Sequence, residues 1–501
     1  MRVPRWKSSR PIWLGQVLWG VGVALASANA LGAGQEIPVT TASEEARADF
    51  MAGQAALDRG DAAPANALFR EALARDPGFA YAWFNLGNAS FSTEEFAETV
   101  RRGTAAASNS SNGERLLMQV AQRFLDNDFS SQLAMAKQLA EQYPQSPRAW
   151  VNLAGVQGGL NQYAEQRASL QKAVDIDASF TPAYLAMGNS YLFNEPRDMK
   201  QAENWFRKLI ALEPGEDNYY WVLGDVYRAS NRLEQARDYY KRATLLDPHD
   251  GTSPLKLGHV DSYLGRYDEA RADYERGIAN AALANRPFNT NYKLFTWIHQ
   301  GEPARAVREL EALNAQIDSM GLPADQRSGA KAFTLNNALV VALHHNLHED
   351  ARRVLDQFAA VLRSNAKAVG TEEFSRIQEA NIAYFEGQLA ARRGDYREAL
   401  NQAKKNASLV EAQSNPRKME NYNDLVGLIN LLQGKHAAAI KSYRGADITN
   451  NIYHKYHLAL ALAGAKQDDE ARRLFRQVGE WNFNSVQFAL VRKDALARAT
   501  G

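Results

Sequence analysis

Residues 217–250 read DNYYWVLGDVYRASNRLEQARDYYKRATLLDPHD, and the spacing inside this stretch decides the fold. Tyr220, Leu223, Gly224 and Tyr227 fall at i, i+3, i+4 and i+7, which is one face of a helix. Ala236, Tyr240 and Ala243 resume that period after a polar turn at Ser230-Asn231-Arg232. Small residues at Gly224, Ala236 and Ala243 let two antiparallel helices approach closely, and the aromatics fill the space beside them. Pro248 ends the second helix, because proline lacks the amide hydrogen that an interior position donates. One such pair leaves an apolar face uncovered, so its neighbours must repeat it.

They do. Units starting near residues 46, 80, 113, 147, 181, 217 and 251 keep a period of about 34 residues. Phe50, Gly53, Ala65, Phe69, Ala72 and Pro77 mark the first, and Tyr184, Met187, Gly188, Tyr191, Ala202, Phe206 and Pro214 the fifth. The second has Trp83, Leu86 and Gly87, but its second helix lacks the closing proline and runs into a loop at 105–112, AAASNSSN. From 285 to 379 the register is lost while the helical period persists, and Gly301-Glu302-Pro303 and Gly321-Leu322-Pro323 punctuate it. Longer helices, and a bend or subdomain boundary, are expected there. The pattern returns at Tyr384, Gly387, Ala399 and Ala403, at Gly427, Ala439, Tyr443 and Ala446, and at Ala459, Ala471 and Phe475. Residues 481–497 are expected to form a partial helix whose Phe483, Val486, Phe488, Leu490 and Val491 cover the last unit.

The order Tyr220-x-x-Leu223-Gly224-x-x-Tyr227, Ala236-x-x-x-Tyr240, Ala243 and Pro248 resembles the tetratricopeptide repeat, a helix–turn–helix unit of this length. The resemblance is strong at 181–284, weaker at 46–104 and 380–480, and poor at 285–379. It implies an all-α, right-handed superhelical solenoid of antiparallel helix pairs, in an array of about ten. The chain then divides into a signal peptide at 1–30, a flexible lead-in at 31–45, an N-terminal array at 46–284, irregular helical repeats at 285–379, and a C-terminal array with a capping helix at 380–501.

Composition sets outer bounds. With 501 residues the chain exceeds a single compact core, and 45% hydrophobic with 23% charged residues is ordinary for a soluble protein. Net charge is +1; without the first thirty residues, which hold Arg2, Arg5, Lys7 and Arg10 and no acid, it would be −3. Neither value points to nucleic acid or an anionic membrane as partner. The N-terminus has the form of a secretory signal: a basic region to Arg10, an apolar run at 12–26, and Ala28-Asn29-Ala30 as a small-x-small cleavage site. The alternative is an uncleaved anchor, for which Gln16, Ser27 and Asn29 make a poor membrane span. A periplasmic or secreted protein with no membrane span after signal removal is expected. The chain has no cysteine, which excludes disulfides, thiolate metal sites and a lipid-bearing N-terminal cysteine.

Chemistry-bearing patterns are sparse. His344 and His348, in LHHNLHE at 343–349, are four apart as in zinc sites, but the HExxH order and a third ligand are missing and the segment falls at a turn. Gly155-Val156-Gln157-Gly158-Gly159 closes a helix instead of following a strand, so it is a turn and no phosphate cradle. Glu94-Glu95, Glu372-Glu373 and Asp468-Asp469-Glu470 sit where helices start, a place the helix dipole favours for acids. No cofactor, catalytic residue or metal ligand is assigned. An enzyme or metal site in 285–379, docked by the flanking repeats, is the competing reading.

What a solenoid offers is recognition. In the family that the repeats resemble, certain positions of each first helix line a concave groove. By register these are Asn85, Asn88, Asn152, Asn189, Trp221, Asp225, Arg228, Lys256 and His259. Amides there could satisfy the backbone of an extended peptide, and cations its carboxylates. The same residues would also serve as the solvated face of amphipathic helices. The expected partner is a protein or peptide, bound by a non-enzymatic scaffold in cell-envelope assembly or secretion.

Overall fold

The structure, a computed structural model, describes residues 36–90, 93–126, 128–370, 372–413, 417–446, 448 and 451–500. The signal peptide expected at 1–30 lies outside them. Among the described residues are 25 α-helices and no strand. They form twelve helix–turn–helix pairs and one final helix, so the fold is an all-α solenoid. First helices begin at residues 44, 80, 112, 147, 181, 217 and 252, within two residues of the starts read from the sequence.

Two local features recur from pair to pair. In nine of the turns between first and second helix the chain passes through a left-handed residue: Gly60, Asn161, Asn231, Gly265, Gly301, Asn346, Gly394, Gly434 and Lys466 have φ from +54° to +93°. Glycine lacks the Cβ that penalises this region and asparagine bonds its own backbone there, so eight of the nine are the residues that tolerate it. Then the small residue of the first helix receives a ring of the second. A Cβ added at Gly53, Gly258 or Gly427 would lie within 3.0 Å of the rings of Phe69, Tyr274 and Tyr443.

Packing divides the chain into two units, one ending at Val226 and the other beginning at Tyr227. The division falls within one helix of the best repeat, and not in 285–379 where a boundary was expected.

The N-terminal unit comprises α1 (Glu44–Arg59), α2 (Ala62–Arg75), α3 (Ala80–Asn88), α4 (Thr93–Ala106), α5 (Asn112–Leu125), α6 (Phe129–Gln142), α7 (Pro147–Gly159), α8 (Tyr163–Ile176), α9 (Thr181–Phe193), α10 (Met199–Leu212) and the first turns of α11 (Asp217–Ala229). An aromatic near the start of four first helices anchors the unit. Trp83 Nε1 donates to Pro77 O at 2.9 Å, Trp150 Nε1 to Pro144 O at 3.0 Å, Tyr184 Oη to Ala178 O at 2.9 Å and Tyr220 Oη to Pro214 O at 2.8 Å. Each bond reaches six residues back into the preceding turn, so the ring packs while its polar end ties successive repeats together.

The second unit comprises α12 (Leu233–Leu246), α13 (Thr252–Tyr263), α14 (Tyr267–Asn280), α15 (Arg286–Gln300), α16 (Pro303–Gln316), α17 (Ala324–His344), α18 (His348–Val369), α19 (Glu372–Arg392), α20 (Tyr396–Val410), α21 (Glu420–Leu432), α22 (His436–Arg444), α23 (Ile452–Gly464), α24 (Asp468–Gly479) and α25 (Val486–Thr500). Helices α17, α18 and α19 have 21, 22 and 21 residues, as expected for this stretch. Their length explains the lost register: α17 and α19 start at residues 324 and 372, too far apart for a 34-residue period. Helix α25 covers α24, as a cap should, and also packs against α15, α17 and α23.

Candidate functional site

The first helices form the inner layer. Within each unit they pack on one another, as α3 does on α5, α7 on α9, α15 on α17 and α19 on α21, while second helices chiefly touch first helices. Curvature therefore gathers residues of the first helices on the inside, where the register placed the candidate groove.

In the N-terminal unit Asn85 is buried and its Nδ2 has no hydrogen-bond partner; Asn152 is half-buried with its Oδ1 unpartnered. Asn88 and Asn189 are also half-buried. Trp221 is half-buried and donates Nε1 to Asn218 Oδ1 at 2.7 Å, and Asn218 in turn donates Nδ2 to Arg59 O at 2.9 Å and Asp61 Oδ1 at 2.7 Å. The sixth first helix thus returns to the first repeat's turn. A second tie crosses the unit: Arg148 pairs with Asp58 at 3.2 Å, where both side chains are largely buried. Burial pushes the Asp58 carboxyl up to about 7, against the pull of Arg148.

The lead-in takes part in this closure. Residues expected to be flexible have specific partners: Ser146 Oγ donates to Glu36 Oε2 at 2.6 Å, Thr40 N to Glu114 Oε1 at 2.8 Å, and Arg47 to Val39 O at 3.1 Å. Ile37 is buried. Nothing in the composition of this stretch signals that; its partners lie up to 110 residues away.

Asp225 is buried on α11. In the second unit Lys256 is half-buried, and Arg228 and His259 are nearly inaccessible, at 5% and 7% exposure. What covers them is the chain itself. Residues 481–485 are not helical, contrary to the expected partial helix; they cross these two residues before α25 begins at Val486. Asn482 Nδ2 donates to Arg228 O at 3.1 Å and to Asn231 Oδ1 at 2.9 Å. The Arg228 guanidinium stands 5.1 Å from the centre of the Phe483 ring. Asn484 Nδ2 approaches His259 Nδ1 at 2.9 Å and Tyr274 Oη at 3.2 Å. Burial holds the His259 imidazole well below its usual pKa, so the ring is neutral, and its Nδ1 also meets Tyr274 Oη at 2.7 Å. Sequence reasoning missed Asn482 and Asn484 because a five-residue connector carries no periodicity.

His344, the candidate of the competing metal reading, is also engaged. Its Nδ1 is 2.7 Å from Tyr453 Oη, and burial with Arg392 nearby lowers its pKa to about 3. His348 begins the next helix. Around Tyr453 lies a polar interior: Tyr384 Oη donates to Asp424 Oδ2 at 2.6 Å, and the rings of Tyr453 and His457 are 4.4 Å apart. Among the described residues no group of three or more His, Asp or Glu side chains could hold a metal ion.

Tetratricopeptide family models match residues 50–100, 147–180 and 218–250. The chain contains tetratricopeptide repeats. Anaphase-promoting complex subunit 6 of Arabidopsis thaliana is 36% identical over 81 residues, a match spanning 16% of this chain and 14% of that relative. Among solved structures, a tetratricopeptide repeat protein of Parabacteroides merdae is similar at 13% identity and TM-score 0.33, over 59% of this chain and all of that one. A thermophilic TPR protein of Thermus thermophilus gives 19% and 0.31, over 36% and 98%. YrrB, a TPR protein described as having an unusual peptide-binding site, gives 20% and 0.27, over 39% and 97%. Tetratricopeptide proteins generally mediate protein–protein or protein–peptide interactions, and the fold is typically a non-enzymatic scaffold. Among the described residues no helix is long and apolar enough to cross a membrane.

Proposed function

We propose that this chain is an exported, non-enzymatic scaffold that holds a protein or peptide partner on the inner face of its first helices, in cell-envelope assembly or secretion. The observation that carries the reading is the set of half-buried amides on the inner helices of the N-terminal unit, Asn88, Asn152 and Asn189; Asn85, placed in the groove by register, is buried and is not offered to a partner. An extended peptide brings backbone donors and acceptors that would satisfy the half-buried amides. Export is supported by the basic, apolar and small-residue order of residues 1–30.

Two experiments test this. Residues 1–33 fused to a reporter should direct it across the cytoplasmic membrane; a reporter retained in the cytoplasm removes the export part. Affinity capture from the native envelope should recover a partner with the wild-type chain and lose it with Asn88→Ala/Asn152→Ala/Asn189→Ala. Capture insensitive to those changes removes the groove.

A further inference from the structure

The second unit carries a peptide on its own inner surface, and that peptide is part of the chain. Asn482 is fully buried, more than 250 residues from the turn that binds it, and is held by a backbone carbonyl and a side-chain amide of the α11–α12 turn. Phe483 meets Arg228, and Asn484 meets His259 on α13 and Tyr274 on α14. Three consecutive side chains of a non-helical segment are thus read by two successive repeats, through contacts that a segment of another chain could make equally well. The backbone supports the triplet: Asn482 adopts φ +52°, a conformation asparagine tolerates better than most residues.

The fit is incomplete. Asn484 Oδ1 is buried without a hydrogen-bond partner, so an incoming segment that satisfied this position would have an advantage to set against the high effective concentration of the tethered one. Ser485 Oγ accepts from Phe488 N at 3.1 Å and so starts α25 just past the triplet, which lets the triplet leave without unwinding that helix.

We propose that the surface of Arg228, Asn231, His259 and Tyr274 is a docking site for a partner segment bearing an amide–aromatic–amide triplet, and that residues 482–484 occupy it in cis until such a segment displaces them. This rests on the scaffold reading above and names the chemistry of one partner segment. It adds a second site, in the unit that the Asn88, Asn152 and Asn189 test leaves untouched.

The test uses the full chain and a fluorescein-labelled peptide EWNFNSV, the sequence of residues 480–486, followed by fluorescence polarisation. The Asn482→Ala/Phe483→Ala/Asn484→Ala variant should bind the peptide at least tenfold more tightly than wild type. A peptide with both asparagines replaced by alanine should bind neither, and adding His259→Ala to the variant should weaken binding by at least tenfold. Equal binding by wild type and variant, or no binding by a variant of native helical circular dichroism, overturns the proposal. Should the variant unfold, hydrogen exchange on the wild type decides: saturating peptide should raise exchange at 481–485, and unchanged exchange overturns it. Failure here, with partner capture still dependent on the N-terminal amides, leaves the scaffold function standing and removes only the cis-occupied site.

Discussion

The side chain of Asn482 donates to the main-chain carbonyl of Arg228 at 3.1 Å, joining positions 254 residues apart. The contact places an amide against the turn of the best-defined repeat, and it closes the second unit on itself. Removing it should be costly, because a buried carbonyl and the Asn231 amide lose a donor. Asn482→Ala is expected to destabilise by about 1–3 kcal/mol, read as a shift of the urea midpoint. Asn482→Gly separates the effects: it keeps the left-handed backbone and loses only the amide. An alanine variant as stable as wild type would mean the segment adds nothing to the fold.

Close approach within a pair gives a second expectation. A Cβ at Gly188 would collide with the Phe206 ring, which is fully buried on α10. Gly188→Ala should therefore cost about 1–3 kcal/mol, although alanine is the better helix former. Thermal melting checks the sign: a raised midpoint would show that the helices can separate at no cost.

The Asp58–Arg148 pair joins α1 to α7 with little exposure of either side chain. Arg148→Met should destabilise by about 3–5 kcal/mol, since it strands Asp58 in a site that already pushes its carboxyl up. Asp58→Asn should cost less, because a neutral amide suits that burial and can still accept from the guanidinium. Chemical denaturation of the two single variants tests the order, and the reverse order refutes it.

Acid sensitivity follows from buried imidazoles. Burial lowers the pKa of His299 and His344 to about 3, and it holds His259 and His457 well below the usual value. Unfolded histidine takes up its proton near pH 6.5, while these stay neutral in the folded chain. Stability should thus be level above about pH 7 and fall as pH drops from about 6.5 towards 3, by about 1.4 kcal/mol per pH unit for each such histidine. Asp58 has the opposite sign: its folded pKa near 7 lies above the unfolded value, so it gains on acidification between about 7 and 4. The lowered histidines all lie in the second unit, where raised Asp273 opposes them, whereas the raised carboxyls of Glu36, Asp58 and Glu216 lie in the N-terminal unit, so the second unit should lose stability first. Melting at pH 7.5, 6 and 5 measures the slope, and His299→Gln/His344→Gln should flatten it.

The left-handed turn position carries one exception worth a variant. Lys466 sits at φ +60° where eight other turns have glycine or asparagine. Lys466→Gly should remove the Cβ penalty and stabilise by about 0.5–1 kcal/mol net of the added unfolded-state entropy. A lower midpoint in thermal melting would show that the Lys466 side chain has a compensating role.

Within a pair, the residues say almost everything. Tyr220, Gly224, Ala236 and Tyr240 interact over a few turns, and helix starts near 46, 80, 147 and 181 are legible because each pair solves the same local packing problem. The stretch 285–379 was harder to read only because α17, α18 and α19 grew by about two turns and carried the period off 34. Where the inner surface ends up is another matter. Curvature sums small rotations over many repeats, so no short window of sequence encodes that Asn218 returns to Arg59, that the lead-in lies against Ser146 and Glu114, or that Asn482 and Asn484 lie over Arg228 and His259. By itself the sequence determined the helix pair and its repetition, both set by neighbours. Only the tertiary structure decided which groove positions stay open and which the chain covers itself, because that depends on contacts made 74 to 254 residues away.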